Sequence, residues 1–576
     1  MKLPRVLFSR IFPGLTIALL AVPLWAQAAK PVMTGQGQEV RTTSSVPQEL
    51  DGQLVYQFLL AEMALQRDHP ELARDLYLKL AQVTHDPRVD RRAVEVSLYS
   101  HDEPAAIEAI GLWLRDNPHS SNAREVLAAV MLSQAQMPDV SGVWEKLLAD
   151  DKQDRLNDFR NLDLVLAQHP DHEGALALAK KLAEPYPDMA ESHYLVGTQA
   201  LAAKKLALAL EESRTALEIR PDWESAALLE GEVLQKQGHR NEARDFYQGF
   251  LKKNPGARDV QLYFARYLVE NKDYAAAREQ FDQLLKGAPK NPDLTLAVGL
   301  LTLQLKDYSQ ATVLFKKALE LGYHDPNVVR LYLGESYEEQ KKWDEAGQWY
   351  GAVTEGDQYM VARIREANMW ARQNQLDKGL ALLDSIPANT PEQRDQKILA
   401  RESMLSDAGQ YQAAFDTLTS ALKATPDDTD LLYERAIVAD KLGHMDVLEH
   451  DLRRVIALKP QNAQAYNALG YSLADHSLRL NEAKGLIHKA LMLSPEDPSI
   501  IDSLGWVQFR MGDLTKSVET LQQAYTLQDD PEIAAHLGEA QWVSGDQAAA
   551  RKTWEGGLKT DPENETLKAT VSRYLH

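Results

Sequence analysis

The 576-residue sequence contains no cysteine, and its basic residues are outnumbered by acidic ones. Without cysteine there can be no disulfide, thiol nucleophile, thiolate zinc site or iron–sulfur cluster, and we expect no lipid anchor on an N-terminal cysteine. There are 84 acidic and 63 basic residues, and the formal net charge is -21. Because phosphate backbones bind basic surfaces, this balance predicts that the protein has no nucleic-acid partner.

Long apolar runs are also missing, except at the N-terminus. Basic residues in the first ten positions precede an apolar stretch over residues 11–25, and the small residues Ala26 and Ala28 follow it. This is the three-part pattern of a secretory signal peptide. The stretch is shorter than the ~20 residues of a membrane-spanning helix. We therefore predict a cleavable signal peptide over residues 1–28, a flexible linker over 29–49, and export to the periplasm.

A glycine or alanine recurs at a fixed spacing along most of the remaining chain, and we call this recurring position the mark of each repeat. The marks are 33 to 35 residues apart, and in this regular series only Glu402 is not a small residue. The marks are Gly197, Gly231, Ala265, Gly299, Gly334, Ala367, Glu402, Ala436, Gly470, Gly505 and Gly538. In most units a second small residue follows twelve positions later, and a proline follows after twelve more. Weaker marks at Ala61, Val94, Ala128 and Asp163 extend the series towards the N-terminus.

This spacing predicts a unit of two helices. The two small residues let the paired helices approach closely, and the proline ends the second helix because it cannot donate an interior hydrogen bond. Apolar residues recur with the period of a helix face. One helix pair cannot bury both of its faces, so the units must stack on one another. The period is that of the tetratricopeptide repeat (TPR). We predict an all-α TPR superhelical solenoid of about 15 helix pairs.

The marks are less regular in the N-terminal part of the solenoid. We predict degenerate TPR-like repeats over residues 50–187, a regular TPR array over 188–562, and a polar capping helix over 563–576. The change of regularity predicts a hinge near Pro187. One repeat is longer than its neighbours, which predicts an extra residue near Ser477.

Motifs that carry chemistry are missing. The sequence has no HExxH, P-loop, GxSxG or EF-hand pattern, so we predict neither an enzyme nor a bound cofactor or metal. The histidines, His536 among them, occupy different repeat positions and do not point to a common site. The acidic pairs at 427–428 and 529–530 lie in turns between repeats, where we expect them to cap the next helix.

The first helix of each TPR pair is expected to line the concave groove. Its inward positions lie one and four residues after the mark, and three and six before it. Apolar candidates for groove contacts at these positions are Tyr471, Trp506, Phe509, Trp542, Leu296, Leu300 and Leu303. They could anchor a partner or pack against the neighbouring repeat, and both readings stay open. Because Asp502 and Glu539 lie beside the aromatic residues, a basic or neutral extended partner suits this strip.

Three blocks of the sequence are more specific than the TPR consensus: NALGYSLAD at 467–475, DSLGWV at 502–507 and PEIAAHLGE at 531–539. These blocks resemble a group of exported proteobacterial TPR proteins that includes the outer-membrane lipoprotein adaptor of a carboxyl-terminal processing protease. The N-terminal segment YQFLLAEMALQRDHPELARDLYLKLAQVTHDPRV at 56–89 shows the same resemblance. The resemblance implies a non-catalytic scaffold that binds a periplasmic protease and presents cell-wall hydrolases or other exported proteins to it. This chain lacks the anchoring cysteine, so its association with the outer membrane would depend on partners.

Two functions are therefore kept open. A protease adaptor would hold the protease through the N-terminal segment, about residues 50–83, and a substrate in the groove, which raises the local substrate concentration. An assembly scaffold for envelope or exopolysaccharide-export machinery would stack sugars on the aromatic strip or bind subunits of that machinery. The acidic charge disfavours an anionic polysaccharide.

Overall fold

The computed structural model describes residues 52–135, 137–150 and 152–575, and every regular element in these ranges is an α-helix. They hold 31 helices, which form 15 consecutive pairs and one final helix. The predicted all-α solenoid of about 15 helix pairs is thereby confirmed. The predicted signal peptide and linker lie outside the described residues.

The helices divide between two compact units, one ending at Gly287 and the other beginning at Ala288. The hinge near Pro187 stays a prediction. The first unit contains seven helix pairs. Its helices are α1 (Gly52–Gln66), α2 (Pro70–Thr84), α3 (Pro87–Tyr99), α4 (Glu103–Asp116), α5 (Ser121–Ser133), α6 (Ser141–Asp150), α7 (Lys152–Gln168), α8 (His172–Ala183), α9 (Ala190–Ala202), α10 (Leu206–Ile219), α11 (Glu224–Lys236), α12 (Arg240–Lys253), α13 (Arg258–Glu270) and α14 (Tyr274–Gly287).

The second unit contains eight helix pairs and the final helix. Its helices are α15 (Pro292–Gln304), α16 (Tyr308–Glu320), α17 (Pro326–Glu339), α18 (Trp343–Gly351), α19 (Tyr359–Arg372), α20 (Leu376–Ser385), α21 (Pro391–Asp407), α22 (Tyr411–Ala421), α23 (Thr429–Leu442), α24 (Met445–Leu458), α25 (Ala463–Asp475), α26 (Leu480–Leu493), α27 (Pro498–Arg510), α28 (Leu514–Leu527), α29 (Pro531–Val543), α30 (Gln547–Thr560) and α31 (Glu565–Tyr574).

The small-residue marks lie where the two helices of a pair meet, as predicted. A β-carbon on Gly231 would stand 2.0 Å from the ring of Tyr247, and one on Gly538 would stand 2.1 Å from the indole of Trp554. Both rings belong to the second helix of the pair, sixteen residues after the mark. A glycine at the mark therefore makes room for a large aromatic side chain at the pair's centre.

The second acid of each predicted capping pair caps the first helix of a repeat. The Asp428 carboxylate accepts the backbone N–H of Leu431 at 3.0 Å, and Asp530 accepts that of Glu532 at 2.8 Å. Both contacts satisfy donors that have no partner within their helix. The predicted capping role is confirmed for Asp428 and Asp530, whereas Asp427 accepts hydrogen bonds from Arg454 and Asp529 accepts one from Thr560.

In most helix pairs the turn between the two helices contains a residue in the left-handed conformation, and sequence analysis did not predict it. This residue lies seven positions after the mark: it is glycine in some repeats, as at Gly512, and lysine in others, as at Lys306 (φ 63°). In the longer repeat, Ser477 and Arg479 both adopt positive φ, and the predicted insertion lies in this turn. A side chain with a β-carbon is strained in this region, since the β-carbon crowds the following carbonyl.

Replacing Lys306 with glycine is therefore expected to stabilise the protein by about 1 kcal/mol, because it removes that crowding. Urea denaturation followed by circular dichroism measures the change. The matched variant Lys552→Gly, at an exposed position within α30, is expected to lose about 1 kcal/mol instead, since glycine disfavours a helix interior. Equal shifts for the two variants would contradict this prediction.

Candidate protein-binding surfaces

Three predicted groove residues lie in one apolar cluster of the second unit. Tyr471 and Trp506 are 7% and 5% exposed, and Phe509 packs against the same cluster. The rings of Trp506 and Phe509 are stacked, with centroids 5.0 Å apart. The indole N–H of Trp506 donates to the Asp475 carboxylate at 3.1 Å in the preceding repeat. Packing against neighbouring repeats thus accounts for most of the surface of Trp506.

A buried ion pair supports this aromatic stack. The Asp502 carboxylate is fully buried and lies 2.9 Å from Nδ1 of His536, whose side chain is 6% exposed. The His536 ring in turn stacks on Trp506 with a centroid distance of 4.3 Å. Burial lowers the pKa of His536, but the nearby Asp502 charge and its hydrogen bond outweigh burial and raise it above its ordinary value of 6.5. The ring therefore carries a proton more readily than an exposed histidine does.

This pair predicts a pH-dependent stability. Because the pKa of His536 is higher in the folded than in the unfolded protein, its stabilisation is complete below about pH 6.5 and is lost as the pH rises through the folded pKa. The charges that face the ring are Asp502 and, on its own helix, Glu532. We expect the urea midpoint to fall as the pH is raised from 6 to 9. In His536→Gln this fall is expected to be smaller, and identical profiles would contradict the assignment.

Trp542 belongs to a different cluster at the C-terminal end. Its ring stacks on Trp554 at 5.6 Å and lies 5.8 Å from Tyr574 of the final helix. Glu539 accepts hydrogen bonds from Arg573 and from the Tyr574 hydroxyl, each at 3.0 Å. The structure therefore does not place Trp542 in the apolar cluster of Trp506. Trp542 remains half-buried where α31 covers the last pair.

The three leucines predicted to contact a partner lie in the core of α15 and its neighbours. Leu296, Leu300 and Leu303 are 6%, 2% and 6% exposed. They pack in one cluster with Phe315 of α16 and Tyr332 of α17. This burial leaves them little surface for a partner, and their role as groove contacts stays a prediction.

Two inward polar side chains near Tyr471 are buried without a hydrogen-bond partner. Asn467 is 0% exposed, and neither its oxygen nor its nitrogen makes a hydrogen bond. The hydroxyl of Tyr433, at the corresponding position one repeat earlier, also lacks a partner. An unsatisfied buried polar group costs about 1–3 kcal/mol. Such groups are therefore candidates for contact with a ligand.

An exposed apolar face on α1 is the second candidate surface, and it lies in the first unit. Val55, Tyr56, Leu59 and Met63 are 41%, 63%, 60% and 46% exposed. Their spacing places them on one side of the helix. The opposite side packs on α2, where the Phe58 ring meets a tyrosine ring at 6.3 Å. We call these four residues the α1 stripe.

Within the described ranges, no group of three or more acidic or histidine side chains is placed to hold a metal ion. No helix among these residues is both long and apolar enough to cross a bilayer. Sequence analysis missed the pairing of His536 with Asp502. The signal was their separation of 34 residues, which is one repeat period and places their side chains on adjacent first helices.

A family model described as tetratricopeptide repeat matches residues 228–292 and 262–326. The TPR repeat-containing protein PA4667 of Pseudomonas aeruginosa is 32% identical over 489 residues, which cover 84% of this chain and 82% of that protein. The chain belongs to the family of TPR repeat proteins. TPR proteins bind protein partners, and their stacked helix pairs typically form a non-catalytic scaffold.

Two solved structures resemble this TPR protein, one over about a third of the chain and the other over most of it. The thermophilic TPR protein TTC0263 of Thermus thermophilus is 26% identical and covers 31% of this chain and 99% of its own, with a TM-score of 0.29. The APC/C hetero-tetramer Cut9-Hcn1 is 14% identical and covers 91% of this chain and 97% of its own, with a TM-score of 0.32.

Proposed function

We propose that this TPR protein is a non-catalytic periplasmic adaptor that presents exported proteins to a carboxyl-terminal processing protease, as the adaptor LbcA does. Cell-wall hydrolases are the expected substrates. The α1 stripe is the observation that carries the proposal. It offers an apolar docking face in the first unit, while the polar and aromatic inner positions near Tyr471 lie in the second unit. Two surfaces on one chain can hold protease and substrate together.

The α1 stripe has the properties of a docking face. In α1 the only charged residue is Glu62, and its carboxylate accepts hydrogen bonds from Arg92 at 3.1 and 3.2 Å. Large apolar side chains on one exposed helix face bind best in a groove that removes them from water. The stripe lies within the segment 50–83 predicted to hold the protease.

A scaffold for envelope or exopolysaccharide assembly is the second candidate function. It would stack sugars on exposed aromatic faces, yet the indole of Trp506 is 5% exposed and already stacks on Phe509 and His536. This arrangement favours a protein ligand over a glycan.

A pull-down from periplasmic extract tests the proposal, with residues 29–576 as bait and mass spectrometry as readout. We expect a carboxyl-terminal processing protease together with a peptidoglycan hydrolase. The variant Leu59→Gln is expected to lose the protease and keep the hydrolase. Its matched control is Met492→Gln, which changes an exposed side chain (75%) of the second unit and is expected to keep both. Recovery of polysaccharide-export subunits without protease would overturn the proposal.

A further inference from the structure

The inward positions of the regular repeats hold many acidic residues and a single basic one. Of the inward positions defined by the eleven marks from Gly197 to Gly538, only the position of Arg266 is basic, and several of the others are aspartate or glutamate. Arg266 lies on α13 in the first unit, one residue after its mark Ala265. Its guanidinium is therefore an isolated positive charge among the inward side chains.

Arg266 is half-buried, yet it makes no hydrogen bond, ion pair or ring contact with any residue that the structure describes. Burial lowers the pKa of this guanidinium, and no nearby carboxylate opposes that effect. Arg435, which is also half-buried, has such a partner and donates to both oxygens of Asp451 at 2.7 and 2.9 Å. Because arginine stays charged at neutral pH, Arg266 has lost part of its hydration without gaining an acceptor for its N–H donors.

Two acidic residues occur near Arg266 in the repeat pattern, and neither is paired with it. Glu232, at the corresponding position of the preceding repeat, lies 3.5 Å from Lys236 of its own helix. Glu270 follows Arg266 by one turn of α13, is exposed, and forms no ion pair with it. The donors of Arg266 are therefore available to an acceptor that arrives with a ligand.

We propose that Arg266 binds the side-chain carboxylate of an aspartate or glutamate in an extended polypeptide that lies along the inward side chains. This inference deepens the proposed adaptor function and rests on it for the kind of polypeptide, which is an exported substrate of the protease. Because one cation accepts one carboxylate, Arg266 sets the register of that polypeptide on the repeats.

The chemistry of Arg266 and of its surroundings selects a single carboxylate. A guanidinium offers parallel N–H donors that match the two oxygens of a carboxylate. A nucleic acid or an acidic polysaccharide would bring further negative charges against the acidic inward positions, which repel them. Because the proposed protease processes carboxyl termini, the terminus of its substrate must stay free. A side chain is therefore the source of the carboxylate.

Fluorescence anisotropy with four labelled twelve-residue peptides tests this inference on the full chain. Three peptides of alanine, leucine and serine are amidated and carry glutamate, glutamine or lysine at one central position. The fourth carries glutamine there and ends in a free carboxylate. We expect the glutamate peptide to bind at least about tenfold more tightly than the amidated glutamine peptide, because it adds one charge-assisted pair. The lysine peptide is expected to bind most weakly, and the two glutamine peptides equally.

Variants of Arg266 separate its charge from its shape. Arg266→Met keeps most of the aliphatic stem and is expected to abolish the preference for glutamate. Arg266→Lys keeps the charge without the planar fork and is expected to reduce the preference to about threefold. The matched control Arg278→Met removes a half-buried arginine of α14, the second helix of the same repeat, and is expected to leave the preference unchanged.

A stability measurement distinguishes a ligand contact from a structural role. Removing an unpaired and partly desolvated charge costs the fold nothing, so the urea midpoint of Arg266→Met is expected to equal or exceed that of the unchanged chain. A clearly lower midpoint would assign Arg266 to packing and would overturn the inference.

The outcomes of the peptide test and of the pull-down are distinguishable. Equal affinity for the glutamate and amidated glutamine peptides, including no binding of either, would overturn the inference, as would a preference that survives Arg266→Met. Tighter binding of the free-carboxylate peptide than of the glutamate peptide would overturn the assignment to a side chain. A glutamate preference that depends on Arg266 supports the site even if the pull-down recovers no protease, and in that case only the adaptor function would fail.

Discussion

Replacing Gly538 with alanine is expected to destabilise the last repeats by about 3 kcal/mol, because the added methyl group has no space. Its carbon would lie 2.1 Å from the indole nitrogen of Trp554, a distance at which the atoms overlap. Trp554 is 1% exposed and its ring stacks on Trp542 and Tyr574. Because rotating the indole away from an added methyl group would break these contacts, the ring stays in place. The clash must therefore separate α29 from α30.

Hydrogen–deuterium exchange of the full chain measures this effect, because repeats far from Gly538 should keep their protection. Faster exchange is expected in α29, α30 and α31. The matched control is Gly485→Ala in α26, where an added methyl group would meet nothing within 4 Å. That variant is expected to gain about 0.5–1 kcal/mol from the better helix propensity of alanine. Protection of α29 that is unchanged in Gly538→Ala would contradict the packing described here.

Replacing His536 with alanine is expected to cost about 3–5 kcal/mol, because it leaves the buried Asp502 carboxylate without its partner. Asp502 is 0% exposed and cannot recover the lost interaction from water without opening the interface between α27 and α29. The substitution also removes the ring that stacks on Trp506. Urea denaturation with tryptophan fluorescence as readout measures the loss.

Two further variants make this test specific for the ion pair. Asp502→Asn combined with His536→Gln replaces the pair with neutral side chains and is expected to cost less than His536→Ala alone. His488→Ala removes an exposed histidine of α26 and is expected to change the stability by no more than about 0.5 kcal/mol. If His536→Ala behaved like His488→Ala, the buried pair would contribute no stability.

The helical repeat could be predicted from the sequence because the same steric condition recurs in most repeats. Gly538 and Gly231 mark the centre of a helix pair, and each faces an aromatic residue sixteen positions later. A condition that depends on residues so close along the chain appears directly as a sequence period. The acidic caps at Asp428 and Asp530 were predictable for the same reason, since a cap acts within its own turn.

The contacts of individual side chains across repeats were less predictable. Leu296 and Trp506 both occupy inward positions, yet neighbouring repeats bury them. His536 was interpreted as one of several scattered histidines, although it pairs with Asp502. Such contacts join residues about one period apart, and a sequence pattern does not show which side chain fills the space between two repeats.

The sequence by itself determined the all-α class, the TPR period, the number of helix pairs and the excess of acidic charge. These properties depend on composition and on local spacing, and the same spacing occurs in successive copies of the repeat. The tertiary structure alone decided which inward residues are covered, which acid meets which histidine, and that Asn467 and Tyr433 are buried without partners. Burial and pairing depend on the stacking of neighbouring helices, because only stacking brings residues of different repeats into van der Waals contact.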